Sequence, residues 1–199
     1  CTPEYLLQFA YLGSFYAQRL MGVEKPRVGL LNIGSEPSKG DTLRHEIFAL
    51  LEEAGLDEIR FHPRDSEWSD MEGSGLKEVK DAVRMKVGIE VPALPGRESD
   101  LLSMIAYARS IGIDFVNLNE LEFSESNWDM MDIHGYSVKD DISSAVAGSE
   151  ETAMKAMKRA RGANVHFCSS AFKDGVQLRR RLVRRAMHIS EAYQQVTED

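Results

Sequence analysis

Pro26-Arg-Val-Gly-Leu-Leu-Asn-Ile-Gly-Ser-Glu-Pro-Ser-Lys-Gly-Asp41 is an apolar run, a polar loop and the start of a helix. Val28, Leu30, Leu31 and Ile33 are too continuous for a strand with one wet face, so they predict a buried parallel strand. Gly34 closes it. In the loop that follows, Gly34, Ser35, Lys39 and Gly40 are candidate anion-binding residues. Their backbone N–H groups and one ammonium would meet a negative charge at the positive end of the helix that Asp41 caps. The alternative is a plain strand-to-helix turn. The Gly-x-x-x-x-Gly-Lys-Ser/Thr order of a Walker A loop is absent.

The chain on either side repeats this alternation. Thr2-Pro3-Glu4 opens a helix that runs to about Met21, with Gly22 as its stop. Leu43, Ile47, Leu50 and Leu51 give the helix Asp41–Ala54 an apolar stripe, and Gly55 ends it. Further strands are predicted at Glu58–Pro63, Val87–Leu94, Asp114–Phe123 and Asn164–Ser169. Helices are predicted at Leu76–Met85, Ser99–Ser110, Ser149 to about Ala160, and Asp174–Gln195. Arg64–Gly75 reads as a long polar loop around Trp68, either functional or poorly ordered. Ser124–Val146 reads as irregular, with a short helix near Asn127–Met131. Five strands alternating with helices define an α/β chain with a parallel sheet.

The two-residue period of the strands separates two faces. Ile59 and Phe61, Ile89 and Val91, Val116 and Leu118, and Val165 and Phe167 form an apolar set. Arg60 and His62, Glu90, Asn117 and Asn119, and His166 and Cys168 form a polar set. With helices on both sides of the sheet the polar set would be buried at a cost. In a (β/α) barrel it would line the lumen, toward the C-terminal mouth where such folds keep their sites. The expected architecture is therefore a partial (β/α) barrel, with an open doubly wound sheet as the alternative.

The chain has 199 residues, a net charge of −8 and two cysteines. The acidic balance disfavours nucleic acid as a partner. No stretch approaches the ~20 apolar residues of a membrane helix, and no signal-peptide pattern is visible. Cys1 and Cys168 offer no disulfide framework, so a reducing, cytoplasmic setting is expected. The chain opens on Cys1 rather than Met, as a fragment or trimmed chain would. Acidic residues crowd the middle, from Glu120 to Asp141. Arg179, Arg180, Arg181, Arg184 and Arg185 crowd the last helix, as a solvated face or a partner for acidic surface. His62, Glu90, Glu120, Glu122, His166 and Cys168 lack the dense spacing of a metal site, so no metal is expected. No Gly-x-Ser-x-Gly, Cys-x-x-Cys or dinucleotide motif marks a catalytic set.

Two families are resembled by different parts of the chain. Pro3-Glu-Tyr-Leu-Leu-Gln-Phe-Ala10, Gly13-Ser14, Tyr16-Ala17, Pro26–Gly34 and Lys39-Gly40 resemble the PlsX-type phosphate acyltransferases of phospholipid synthesis. That likeness implies acyl-phosphate chemistry, and nothing after Glu53 is read as continuing it. Ala54-Gly-Leu-Asp-Glu-Ile-Arg-Phe-His-Pro63, Val87–Gly96, Asn117–Ser124, Ala145–Glu150 and Val165-His-Phe-Cys-Ser-Ser170 resemble the C-terminal part of a radical-SAM family related to pyruvate formate-lyase activating enzymes. That likeness implies a partial barrel, S-adenosylmethionine and a [4Fe–4S] cluster held by a Cys-x-x-x-Cys-x-x-Cys loop. The loop is absent, and two separated cysteines cannot supply three thiolates.

The join falls at Leu50-Leu-Glu-Glu-Ala-Gly55, which divides the chain into segments 1–54 and 55–199 packed as one domain. The resulting expectation is an engineered or mosaic chimera with no selected activity, not an enzyme and without a cofactor. Retained S-adenosylmethionine binding at Glu90, Asn117 and Asn119, or residual phosphate binding at Gly34–Gly40, are the alternatives. Open sheet edges lead to an expected homodimer.

Overall fold

Strands whose alternate residues are apolar must bury one face, and that decides the layering. The structure is a computed structural model that describes residues 3–33, 48, 50–53, 55–191 and 193–197. Strands β1 (Gly29–Ile33), β2 (Glu58–His62), β3 (Lys86–Ala93), β4 (Phe115–Glu120) and β7 (Val165–Cys168) form one parallel sheet. Their order, β1-β2-β3-β4-β7, follows the sequence without reversal, and β1 and β7 are free edges. The sheet is open, not a closed barrel. Sequence order with right-handed crossovers places the connecting helices on one side, as in a barrel wall laid open.

The apolar set faces those helices. Ile59, Val87, Ile89, Val91 and Leu118 are fully buried against Leu76 and Val79, Leu101, Met104 and Ile105, and Ala153 and Ala156. These belong to the helices Leu76–Ala82, Glu98–Ser110 and Ser149–Arg159. Each large aliphatic side chain taken from water contributes roughly 1.5–3 kcal/mol. Phe48 and Leu51, in the helical residues 48 and 50–53, join the same cluster. The first helix, Pro3–Leu20, packs Leu7 and Ala10 against it and leaves Phe9, Leu12 and Phe15 exposed.

Several elements depart from the sequence reading. Residues 124–146 hold the expected short helix, at Trp128–Ile133, and an unexpected antiparallel hairpin of β5 (Val138–Asp140) and β6 (Ser143–Val146). β4 stops at Glu120 because the next N–H, of Leu121, donates to the Ser149 hydroxyl at 2.8 Å instead of to a strand. Glu122 then bridges to Ala145 of the hairpin. The terminal helix passes through a π-helical stretch, Lys173–Leu178, and ends at Ile189 rather than Gln195. The anion-binding candidates Gly34, Ser35, Lys39 and Gly40 lie outside the described residues. Among the described residues, no helix is long and apolar enough to cross a membrane.

Candidate functional site

The face of the sheet turned away from the helices carries the polar set in rows fixed by the strand register. Arg60, Gly88 and Phe115 lie side by side, then Glu90, Asn117 and His166, then Pro92, Asn119 and Cys168. Arg60, Glu90, Asn117 and Asn119 are half-buried and His166 is exposed, so this face is neither a packed core nor a free surface. The predicted contacts Glu90, Asn117 and Asn119 are thus brought together.

A hydrogen-bonded relay joins Glu90 and Asn119 to Arg60. The Glu90 carboxylate accepts from the Asn119 amide at 2.9 Å on one oxygen and from the Arg60 guanidinium at 2.9 Å on the other. Arg60 also donates twice to Glu58, at 2.6 and 2.8 Å. Its guanidinium lies 5.4 Å from the centre of the Phe115 ring. That ring leans across β3 over Gly88, where a Cβ would stand 2.2 Å from it. Only glycine leaves room for this stacking. From sequence Arg60 belonged to the polar set without being a candidate contact, and Phe115 was not singled out.

At the C-terminal ends of the strands lies a cavity of about 610 Å³. His62, Pro92 and Leu121 bring β2, β3 and β4 to its wall, and Trp68, His134 and Tyr136 complete it from the flanking segments. Trp68 is only 1 % exposed, and its indole N–H donates to the Pro63 carbonyl at 3.2 Å. The stretch read as a possible disordered loop is therefore anchored. Behind the cavity, Glu120 is buried. Its carboxylate accepts from Lys139 at 3.2 Å and from the Ser170 N–H at 2.8 Å. Ser149 accepts from the Leu121 N–H and donates to the Ala93 carbonyl at 2.8 Å, tying two strand ends to the helix Ser149–Arg159.

Among the partly buried carboxylates, two are held ionised below their usual range. Burial alone would raise Glu90, but hydrogen bonds from Asn119 and Arg60 and the charges of Arg60 and His62 outweigh it. Burial would likewise raise Asp114, but Lys80 at 2.6 Å and the Val87 N–H at 2.7 Å hold it down. In the unfolded chain both titrate near pH ~4. Their stabilisation is therefore complete above about pH 4 and is lost as the pH falls through the lower folded values. Urea melts between about pH 6 and pH 2 should show an acid limb that Glu90→Gln makes shallower; an unchanged limb would mean that the relay contributes nothing.

Among the described residues, no three His, Cys, Asp or Glu side chains converge to hold a metal ion. His62, Glu122, His166 and Cys168 are not gathered into one site. Cys168 is a half-buried free thiol. An open parallel sheet with one polar face and a cavity at its C-terminal edge is the class of scaffold this chain presents.

Comparison with known proteins places both resemblances. The family model described as "Fatty acid synthesis protein" matches residues 1–62. A protein of Methanocaldococcus jannaschii named as a glycyl-radical enzyme activating enzyme is 39% identical over 167 residues, covering 80% of this chain and 44% of that protein. A phosphate acyltransferase of Clostridium acetobutylicum is 42% identical over 73 residues, 36% of this chain and 22% of its own length. Another, of Streptococcus equi subsp. zooepidemicus, is 35% identical over 136 residues, 68% of this chain and 39% of its own. The chain thus spans less than half the length of these relatives. No solved structure matches it.

These relatives correct three expectations. They come from natural organisms and are named as enzymes, which overturns the reading of an engineered chain, of one without selected activity, and of a non-enzyme. That reading leaned on the join of two partial likenesses and on the missing cysteine loop, which bears on an iron–sulfur cluster and not on the polar face. The boundary at Glu53 is also softened. The family model runs on to residue 62, and the M. jannaschii and S. equi matches together exceed the whole chain, so they overlap over much of it. With cysteines only at positions 1 and 168, the residues present do not fit a [4Fe–4S] cluster, and no step is derived through one.

Proposed function

We propose that this chain is the ligand-binding half of an enzyme of the glycyl-radical-activating kind. Its site is the polar sheet face of Glu90, Asn117 and Asn119 together with the adjoining mouth cavity. The observation that carries this reading is the Arg60–Glu90–Asn119 relay, ionised and prealigned beside a cavity at the C-terminal strand ends. An open parallel sheet binds ligands there. Side-chain amides, a carboxylate and imidazoles suit a small polar organic molecule bearing both an amine and a carboxylate. The absence of a disulfide framework supports a cytoplasmic setting.

S-adenosylmethionine carries both groups and serves as the probe, with free methionine beside it. Titration followed by the Asn119 side-chain amide resonances should shift them, and Asn119→Ala should weaken binding about tenfold. Resonances unmoved at millimolar probe, or equal binding by Asn119→Ala, would reject the reading.

A further inference from the structure

Lys173, at the start of the terminal helix, pairs with Glu122 at 2.9 Å, but the arginines beyond Arg179 on that helix do not reach the acidic middle of the chain within one molecule. On the helix Arg179–Ile189, Arg180, Arg181, Arg184 and Arg185 form no ion pair with any described residue. Leu182, Met187 and Ile189 stand exposed among them. Elsewhere, Phe123, Trp128 and Val138 wall an open cleft of about 650 Å³, with Glu125, Asp140 and Asp141 on its rim. Trp128 packs on Phe123 at 4.8 Å yet remains 53 % exposed, and Ile142 in the hairpin turn is 96 % exposed. Glu125, Asp129, Asp132 and Asp141 also lack ion pairs to any described residue.

An apolar centre ringed by charge is the anatomy of an interface. Here the same chain carries both complementary versions. Arginine is the cation suited to the cleft, since its guanidinium both pairs with carboxylates and stacks on tryptophan. We propose that the occupant of the Trp128 cleft is a second copy of this chain, seated by its Arg179–Ile189 helix. Two complementary patches on one chain allow the contact to be made twice in a closed pair. This contact is separate from the sheet edges and from the mouth cavity.

Light scattering on the full chain tests it. The chain should pair at low salt, and the pair should weaken about tenfold or more near 0.5 M salt. Arg180→Glu/Arg184→Glu and Asp129→Lys/Asp141→Lys should each be monomeric alone, and an equal mixture of the two should pair again. Trp128→Ala, which alters no charge, should weaken the wild-type pair. A wild-type chain that stays monomeric at low salt, or a mixture of the reversed chains that fails to pair while each retains its circular dichroism, would overturn the proposal.

Discussion

Replacing Trp68 by alanine is expected to destabilise the chain by about 3–5 kcal/mol, the range for deleting a buried aromatic side chain. The indole is 1 % exposed and sits beside Met71, itself 2 % exposed. Its loss opens a void where the loop is tied down. The Pro63 carbonyl loses its indole donor. On the same side of the loop, Arg97 packs 5.9 Å from the ring centre while donating to Asp65 and Asp100. Trp68→Phe keeps most of the volume and loses only the N–H, so it should cost about 1 kcal/mol. Because Trp68 also lines the mouth cavity, the alanine variant should lose probe binding along with stability, whereas Trp68→Phe should keep it. Urea denaturation of the three proteins decides the matter. A loss below about 1 kcal/mol for the alanine variant would mean that the segment contributes little to the core.

The same loop marks where the sequence was silent. Arg64–Gly75 is rich in charge and glycine, and composition alone cannot separate a packed loop from a loose one. The loop's two large apolar residues, Trp68 and Met71, were the available signal. The sheet was far more legible. Ile59, Ile89, Val116 and their polar alternates carry a period of two that any packing must respect, and the structure puts the two sets on opposite faces. The β5–β6 hairpin escaped because its strands are three and four residues long, too short for alternation to register. Arg60 escaped because its role depends on Glu90, thirty positions away in sequence and adjacent only through the register. Enzymatic descent was misjudged for a different reason. A missing cysteine motif was taken to speak for the whole chain, when it constrains one cofactor and leaves the polar face untouched.

Glu120 was set aside at the sequence level with the residues too scattered for a metal site, and its parity, opposite to that of Asn119, is the source of its importance. It turns the carboxylate from the open face into the interior, where the side chain is 1 % exposed. An ionised group so placed is tolerable only with partners. Lys139 on the hairpin supplies the charge, and the Ser170 N–H supplies a donor from the first turn after β7. One side chain at the end of β4 thus holds both the hairpin and the start of the terminal helix. Glu120→Ala should cost about 3–5 kcal/mol, since it strands a buried N–H and removes one partner of the ion pair. Lys139 retains Glu150 at 2.5 Å, so the ammonium is not itself orphaned and the larger share of the loss falls on Ser170. Glu120→Gln can still accept from Ser170 and should lose about half as much. Amide exchange at Ser170 should accelerate in the alanine variant and stay slow in the glutamine one. If exchange is unchanged in both while stability falls, the damage lies at Lys139, and Lys139→Met in the alanine background should then restore part of it.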